Sequence, residues 1–446
     1  MYKILLFLVS SFGMLYAEQL SEEVISKYLS SENRHIQTIL SYQERAKEQL
    51  ADTKGSFDIS SSLKYETKEY PQSSAEYKEL SFSKRFESGI ELKGSFREAE
   101  GTQEYNNIKT GQDGEYLASL SAPLLPIFTG VNQQSYATKS AGYTYRAKQL
   151  TTQDALRLFT FDVLRSYYEL LLSNQKVHLF EQLFKSAQQR EAFVAEQIQK
   201  GKLAKIEQLA ASRSALQYQQ KIQSSKRERI ASQHKLSYFL DIPEQTLLHY
   251  EIPKLAENVF VLNESVEEAI QIAKEKRNDL AALEVAKEGV TLDQKLNQSS
   301  RVTKSDLHLY SLYDPIYKEG YKVTFELALS LEETSYEAKR RENLIKHSQI
   351  ALERELKERE IENELARLYK QKESLQSELS LQRELVELSE KLLEALKKRF
   401  ELGGATLDDI VREEIRFLET KEKLYDLQNN LAMKIKAIEM QMNALY

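Results

Sequence analysis

Hydrophobic and polar positions alternate singly over two stretches of the chain and recur at steps of three and four over most of the rest. In the stretch from about Val302 to Leu331, Val323, Phe325, Leu327, Leu329 and Leu331 alternate with Lys322, Thr324, Glu326, Ala328 and Ser330. From about Gly55 to Leu125 the same alternation returns. There Phe57, Ile59, Leu63 and Tyr65 interleave with Asp58, Ser60, Lys64 and Glu66, and Ile90, Leu92 and Phe96 with Glu91, Lys93, Ser95 and Arg97. Successive side chains of a strand point to opposite faces, so both stretches predict strands with one apolar and one polar face.

The remainder predicts helix. From about Asn132 to Lys200 and from about Glu333 to Leu402 there is no Pro and no Gly except Gly142. Each run would span roughly 100 Å as one helix. Apolar residues step by three and four, as in Leu365, Leu368, Leu375 and Leu379 and again in Leu385, Leu388, Leu392 and Leu396. That spacing predicts coiled-coil packing. Each long helix ends at a glycine turn, near 201 and near 403, and a second helix runs back from about Ala204 to Leu240 and from about Thr406 to Ala444. The result is two antiparallel helical hairpins.

An ordinary sheet lying on a soluble core would give the same strand alternation. Here the long two-faced helices leave no second core to cover such a sheet. Tyr70, Tyr77, Phe82, Phe86, Tyr310, Tyr313, Tyr317 and Tyr321 also crowd the strand ends, in the manner of a membrane-interface girdle. A handful of strands cannot close a barrel, and open edges are not tolerated in lipid. Strands in a membrane would therefore have to be pooled from several copies.

Composition narrows the function classes. The 446 residues include only 14 Gly and 6 Pro, 29% are charged, and the formal net charge is −6. With no basic tract longer than three consecutive Lys/Arg residues, nothing points to a nucleic-acid partner. Cysteine is absent, which removes disulfides, thiolate metal sites, a Cys nucleophile and a lipidated Cys anchor. Lys3, the apolar run Ile4 to Leu15, and Leu15, Tyr16 and Ala17 before Glu18 predict a secretory signal peptide over residues 1–17. Beyond it no run approaches the ~18–20 apolar residues of a spanning helix. The six histidines, at 35, 178, 234, 249, 308 and 347, are scattered, and no phosphate loop, nucleophile elbow or HExxH occurs. No catalytic residue, cofactor or metal is expected.

The chain repeats itself. Glu22, Glu23, Val24, Ile25 and Asn33 match Glu267, Glu268, Ala269, Ile270 and Asn278 at an offset of 245, and Gly201 to Leu209 match Gly403 to Val411 at an offset of 202. The first half is therefore 43 residues longer between these points, where its strand region is the longer one. The expected organisation is a first repeat over 18–240, a linker over 241–263 carrying Pro243 and Pro253, and a second repeat over 264–446. Each repeat runs helix, strands, long helix, glycine turn, helix.

This order, the duplication and the turns Gly-x-x-Ala-x-x-Glu (Gly201 to Glu207) and Gly-x-x-Thr-x-x-Asp (Gly403 to Asp409) resemble the TolC family of outer-membrane efflux proteins. Ser121 to Gly130 is similar to that family's Pro-Leu-Phe-x-Gly passage from strand into long helix. The resemblance implies a mainly α protomer with a β-barrel section, about four transmembrane strands per chain. It implies a homotrimer whose twelve strands form one barrel in the outer membrane of a Gram-negative bacterium, continued by an α-helical tunnel in the periplasm. It also implies an exit duct of a tripartite efflux or type I secretion system, with outer-membrane lipid, a periplasmic adaptor protein and an inner-membrane pump of RND or ABC type as partners. The competing reading is an exported coiled-coil structural or adhesin protein that forms no channel.

In the resembling family the glycine turns lie at the periplasmic tip, where the tunnel narrows. The resemblance thus makes Asp408, Asp409, Glu207, Phe400 and Arg412 candidates for a pore constriction or gate, and Gly201, Lys202, Ala204, Lys205, Gly403, Gly404 and Thr406 candidates for adaptor docking. Phe400 and Ala405 stand where the family has a tyrosine and an arginine that lock the closed state, and Arg412 where it has an acid. Three copies of Asp409 would make a ring that attracts cations. Thr406 and Asp409 also have the spacing of a helix capping box, and Glu207 with Lys202 and Lys205 reads equally as solvated helix-end charge.

Overall fold

The computed structural model describes residues 18–101, 113–124, 131–255, 262–299, 302–329 and 332–445. The expected signal peptide, residues 125–130 of the strand-to-helix passage, and Ser330 and Leu331 lie outside the described residues, and of Tyr70 only the backbone is described.

Helices α1 (Glu22–Tyr28) and α2 (Arg34–Gly55) lead into strands β1 (Ser60–Tyr70), β2 (Ser73–Arg85), β3 (Glu91–Gly101) and β4 (Glu115–Pro123). The long helix α3 (Gln133–Gln199) and its return α4 (Lys205–Leu240) follow, then the short α5 (Glu244–Leu247). The second series is α6 (Val266–Lys276), α7 (Asn278–Ser299), β5 (Val302–Asp314), β6 (Lys318–Leu329), α8 (Thr334–Glu401) and α9 (Leu407–Gln441). Lengths repeat as well as order. Helices α2 and α7 have 22 residues each, α3 and α8 have 67 and 68, and α4 and α9 have 36 and 35.

The chain divides into two compact units. One, comprising residues up to Ile39, Ala155–Arg277 and Ile361–Tyr446, is built of helix packed on helix. One apolar cluster joins Leu20, Val24 and Ile25 to Leu170, Leu236 and Leu247, all buried. The start of the described chain is tied down there. Gln19 pairs in parallel with Glu251, and the Tyr167 hydroxyl donates to the Leu20 carbonyl at 2.8 Å. Further clusters run between α8 and α9 through Leu379, Leu424, Leu427, Leu431 and Ile435. This is the interdigitation that the three-and-four spacing predicts.

One heptad set behaves differently. Leu365 and Leu368 are buried, but Leu381, Leu385, Leu388 and Leu392 of α8 stay exposed. Ile206, Leu209 and Leu216 of α4 do so too.

The second unit, Leu40–Asp154 and Asn278–Glu360, contains one antiparallel sheet in the order β1-β2-β3-β4-β5-β6. Six strands stand where the resemblance implies about four, because two antiparallel pairs, β1–β2 and β3–β4, precede β5. Pro71 and Gln72 form the tight turn of the first. The second hairpin is set off by a turn in which the Gly89 N–H donates to the Phe86 carbonyl at 2.8 Å. Gly89 has φ +87°, and a Cβ there would stand 2.6 Å from Pro123 Cγ, so only glycine fits the position. The extra hairpin lies in the longer half.

Candidate functional site

Strand register decides what the sheet can face. Leu63, Leu80, Phe96, Tyr116 and Tyr313 are consecutive partners across β1 to β5 and share one face. Leu92, Leu120, Leu309 and Val323 form a second apolar row on the same face. This face is uncovered among the described residues: Leu63 is 80% and Phe325 59% exposed. An apolar face running across six strands is stable only against a medium other than water.

The opposite face is polar and internally paired. Glu79 accepts from Lys93 Nζ at 2.8 Å and from the Tyr77 hydroxyl at 2.7 Å. Arg97 pairs with Glu115, Lys304 with Glu326 at 2.6 Å, and Ser62 with Ser81 at 2.7 Å. The period of two therefore corrects part of the expected aromatic girdle. Tyr313 and Tyr321 lie on the apolar face, whereas Tyr77 and Tyr310 fall on the polar one.

The second candidate region is the pair of glycine turns. Both close their helix in the same way. Lys202 N–H donates to Gln197 O at 2.9 Å and Gly404 N–H to Arg399 O at 2.8 Å, the six-to-one bond of a Schellman stop. Gly201 and Gly403 supply the required left-handed residue, with φ +70° and +77°. Arg399 Nη2 also donates to the Gly404 carbonyl at 2.9 Å.

The return helices start differently. Thr406 caps α9 through a complete capping box, accepting from Asp409 N–H at 3.2 Å while its own N–H donates to Asp409 Oδ2 at 2.9 Å. The Thr406 hydroxyl and backbone hold the Asp409 carboxyl below the usual carboxylate range. Ala204, at the matching cap of α4, makes no side-chain cap bond.

The candidate charges are sorted by these local contacts. Asp408 pairs with Arg412 one turn on. Glu207 is half-buried, with its N–H on the Ala204 carbonyl, and among the described residues no ion pair joins it to Lys202 or Lys205, which are exposed. Phe400 is a packing residue, shared between the Val194–Ala211–Leu407 and Leu393–Ile410–Phe417 clusters, and meets Phe193 edge-on at 6.0 Å between centroids.

A further polar group emerges only in three dimensions. Arg190 of α3 pairs with Glu414 of α9, and Glu414 also accepts from the Ser186 and Tyr218 hydroxyls at 3.3 Å each. The sequence does carry a signal for it. Arg190 follows Leu183 and Ala187 and precedes Val194, while Glu414 stands between Leu407, Ile410 and Phe417, so both charges occupy positions of an apolar stripe.

No family model matches the chain, and no curated protein matches it. Solved structures do. CusC, described for the conformational changes that accompany folding and transmembrane channel formation, is 15% identical, with 94% of this chain and 91% of that chain covered and a TM-score of 0.71. The CmeC outer membrane channel of Campylobacter jejuni is 11% identical over 95% of this chain and 85% of its own, at 0.68. The MtrE outer membrane channel of Neisseria gonorrhoeae, in its open state, is 12% identical over 94% and 88%, at 0.70. Identity this low carries no residue-level assignment, but the likeness extends over nearly the whole of both chains. The chain has the fold of the TolC-like outer-membrane channel proteins.

Proposed function

We propose that this protein is a channel of the outer membrane of a Gram-negative bacterium, formed by three copies that pool their sheets into one barrel and their helices into a periplasmic tunnel. The observation that carries the reading is the two-sided sheet. Its uncovered apolar face suits lipid, its ion-paired polar face suits a water-filled lumen, and β1 and β6 leave two edges that only other copies could close. The exposed leucines of α8 and α4 add support, since neighbouring copies would cover them. The structural neighbours are channels of the outer membrane by description, and this chain takes the same role here.

In this reading the protein does no chemistry and holds no cofactor. It serves as the exit duct of a tripartite efflux or type I secretion system, receiving cargo from an inner-membrane pump of RND or ABC type through a periplasmic adaptor. The adaptor docks on the turns, at Gly201, Lys202, Ala204 and Lys205 and at Gly403, Gly404 and Thr406, where small residues let a partner helix approach the backbone. Asp409, Asp408, Arg412, Glu207 and Phe400 set the charge and packing of the constriction. Asp409 is the residue best placed to select cations, because its capping bonds keep it ionised and Asp408 is already paired with Arg412.

Single-channel conductance of the detergent-purified protein in a planar bilayer tests this. Stable cation-selective openings are expected, with selectivity weakened by Asp409→Ala. A protein that stays in the aqueous phase and never conducts would instead be an exported coiled-coil structural protein; conduction indifferent to Asp409 would leave that residue a helix cap alone.

A further inference from the structure

The additional hairpin β1–β2 has a consequence for the size of the pore. It is not an appendage of the sheet. It pairs with β3 over eleven consecutive positions, from Ala75↔Gly101 to Arg85↔Glu91, as regularly as β1 pairs with β2. The two-sided chemistry crosses that junction without interruption. On the apolar face Leu80 lies opposite Phe96, and Phe82 opposite Gly94. On the polar face the Lys93–Glu79 ion pair ties β3 to β2 at 2.8 Å.

Length and chemistry also suit a wall position. Strands β1 and β2 have 11 and 13 residues, against about 9–11 needed to cross a bilayer. Neither edge strand, β1 or β6, contains proline, so no ladder N–H is missing from either edge. Six alternating strands run β1 and β6 in opposite directions. The β6 edge of one copy therefore meets the β1 edge of the next antiparallel, as closure of an all-antiparallel barrel demands. Both edges carry charges of both signs on the polar face, Lys64 and Glu66 on β1 and Lys322 and Glu326 on β6.

We infer that neighbouring copies join β1 to β6, so each chain contributes six staves to the barrel. This rests on the channel reading above and deepens it. The three-copy assembly then has eighteen strands, not twelve. Because diameter grows almost linearly with strand number, the membrane section is about 1.5-fold wider than a twelve-strand barrel. The alternative leaves β1–β2 outside the wall and makes β3 the joining edge.

The absence of cysteine makes the test clean. Ser62→Cys on β1 is combined in turn with Lys322→Cys, Thr324→Cys and Glu326→Cys on β6, in full-length protein reconstituted in liposomes. Within one copy these strands are five strand spacings apart, about 24 Å, so a disulfide can form only between copies. Oxidation is expected to give a reductant-sensitive covalent trimer in at least one combination. Ser95→Cys on β3 combined with the same β6 positions should give none.

Trimer from the β3 set and none from the β1 set would overturn the six-stave wall. So would cross-linking in neither set while the liposomes still conduct, an outcome that leaves the channel reading standing. If no variant and no parent protein conducts, the channel reading fails with it. A second readout avoids any dependence on the register between copies. A water-soluble maleimide should label Ser81→Cys at least about tenfold faster than Leu80→Cys, since these neighbours face lumen and lipid. Equal labelling of the two would place the hairpin in water on both faces and sink the inference.

Discussion

Arg190 and Glu414 face each other inside the helical unit, with side chains 8% and 1% exposed. Two charges at apolar-stripe positions of α3 and α9 survive there because each neutralises the other, and because Ser186 and Tyr218 satisfy the carboxylate further. Burial, and then the nearby Glu414 charge, push the Tyr218 hydroxyl well above its ordinary range, so it remains a hydrogen-bond donor at any physiological pH. Removing one partner strands the other. Arg190→Leu is expected to cost about 3–5 kcal/mol, and the double variant Arg190→Leu/Glu414→Leu should recover most of it. Amide hydrogen exchange along α9 around residue 414 checks this; a single variant as protected as the parent would mean that the pair contributes nothing.

The two helix stops predict a backbone effect free of any clash. A Cβ at Gly201 or Gly403 would meet no atom within 4 Å, so the φ of +70° or +77° is the whole obstacle. Gly201→Ala and Gly403→Ala should each destabilise their turn by about 1–2 kcal/mol, and Gly403→Asn by less. Thermal melts and amide exchange at residues 197–207 and 399–409 are the measurements.

For Asp409 the sign of the pH effect follows from its contacts. The Thr406 hydroxyl and N–H favour the carboxylate, so its folded-state pKa lies below the ordinary 3.8. Stabilisation of the α9 start is then complete above about pH 4 and is lost only as pH falls through the lower folded value. Protection of the Thr406 to Ile410 amides should be unchanged from pH 7 to pH 5 and should fall in stronger acid. Asp409→Ala should show the weakened protection at every pH.

The two faces of the sheet predict opposite tolerance at neighbouring positions. Phe325→Arg places a charge on the apolar face and should cost roughly 2–4 kcal/mol near the middle of the bilayer. Thr324→Arg, one residue away on the polar face, should assemble almost normally. The yield of folded protein inserted into liposomes separates them, and equal yields would argue that the apolar face does not meet lipid.

Much of this protein was legible in sequence because its signals are local. Steps of three and four specify helix, single alternation specifies a two-faced strand, and glycine at 201 and 403 marks a left-handed stop, since each depends on residues within one or two turns of chain. The likeness between the halves was readable for the same reason, as local patterns that recur at offsets of 245 and 202. What depends on pairing across the chain was not. Alternation between Gly55 and Leu125 suits one hairpin or two, and only the register of Ala75 to Arg85 against Glu91 to Gly101 shows that the sheet has six strands. Leu365 and Leu385 carry the same heptad signal, yet one is buried and the other exposed, because spacing says that a face is apolar and not what covers it. Arg190 and Glu414 were each visible as a charge on an apolar stripe. That they meet, 224 residues apart, was decided by the packing of α3 against α9, where neither charge could be buried without the other.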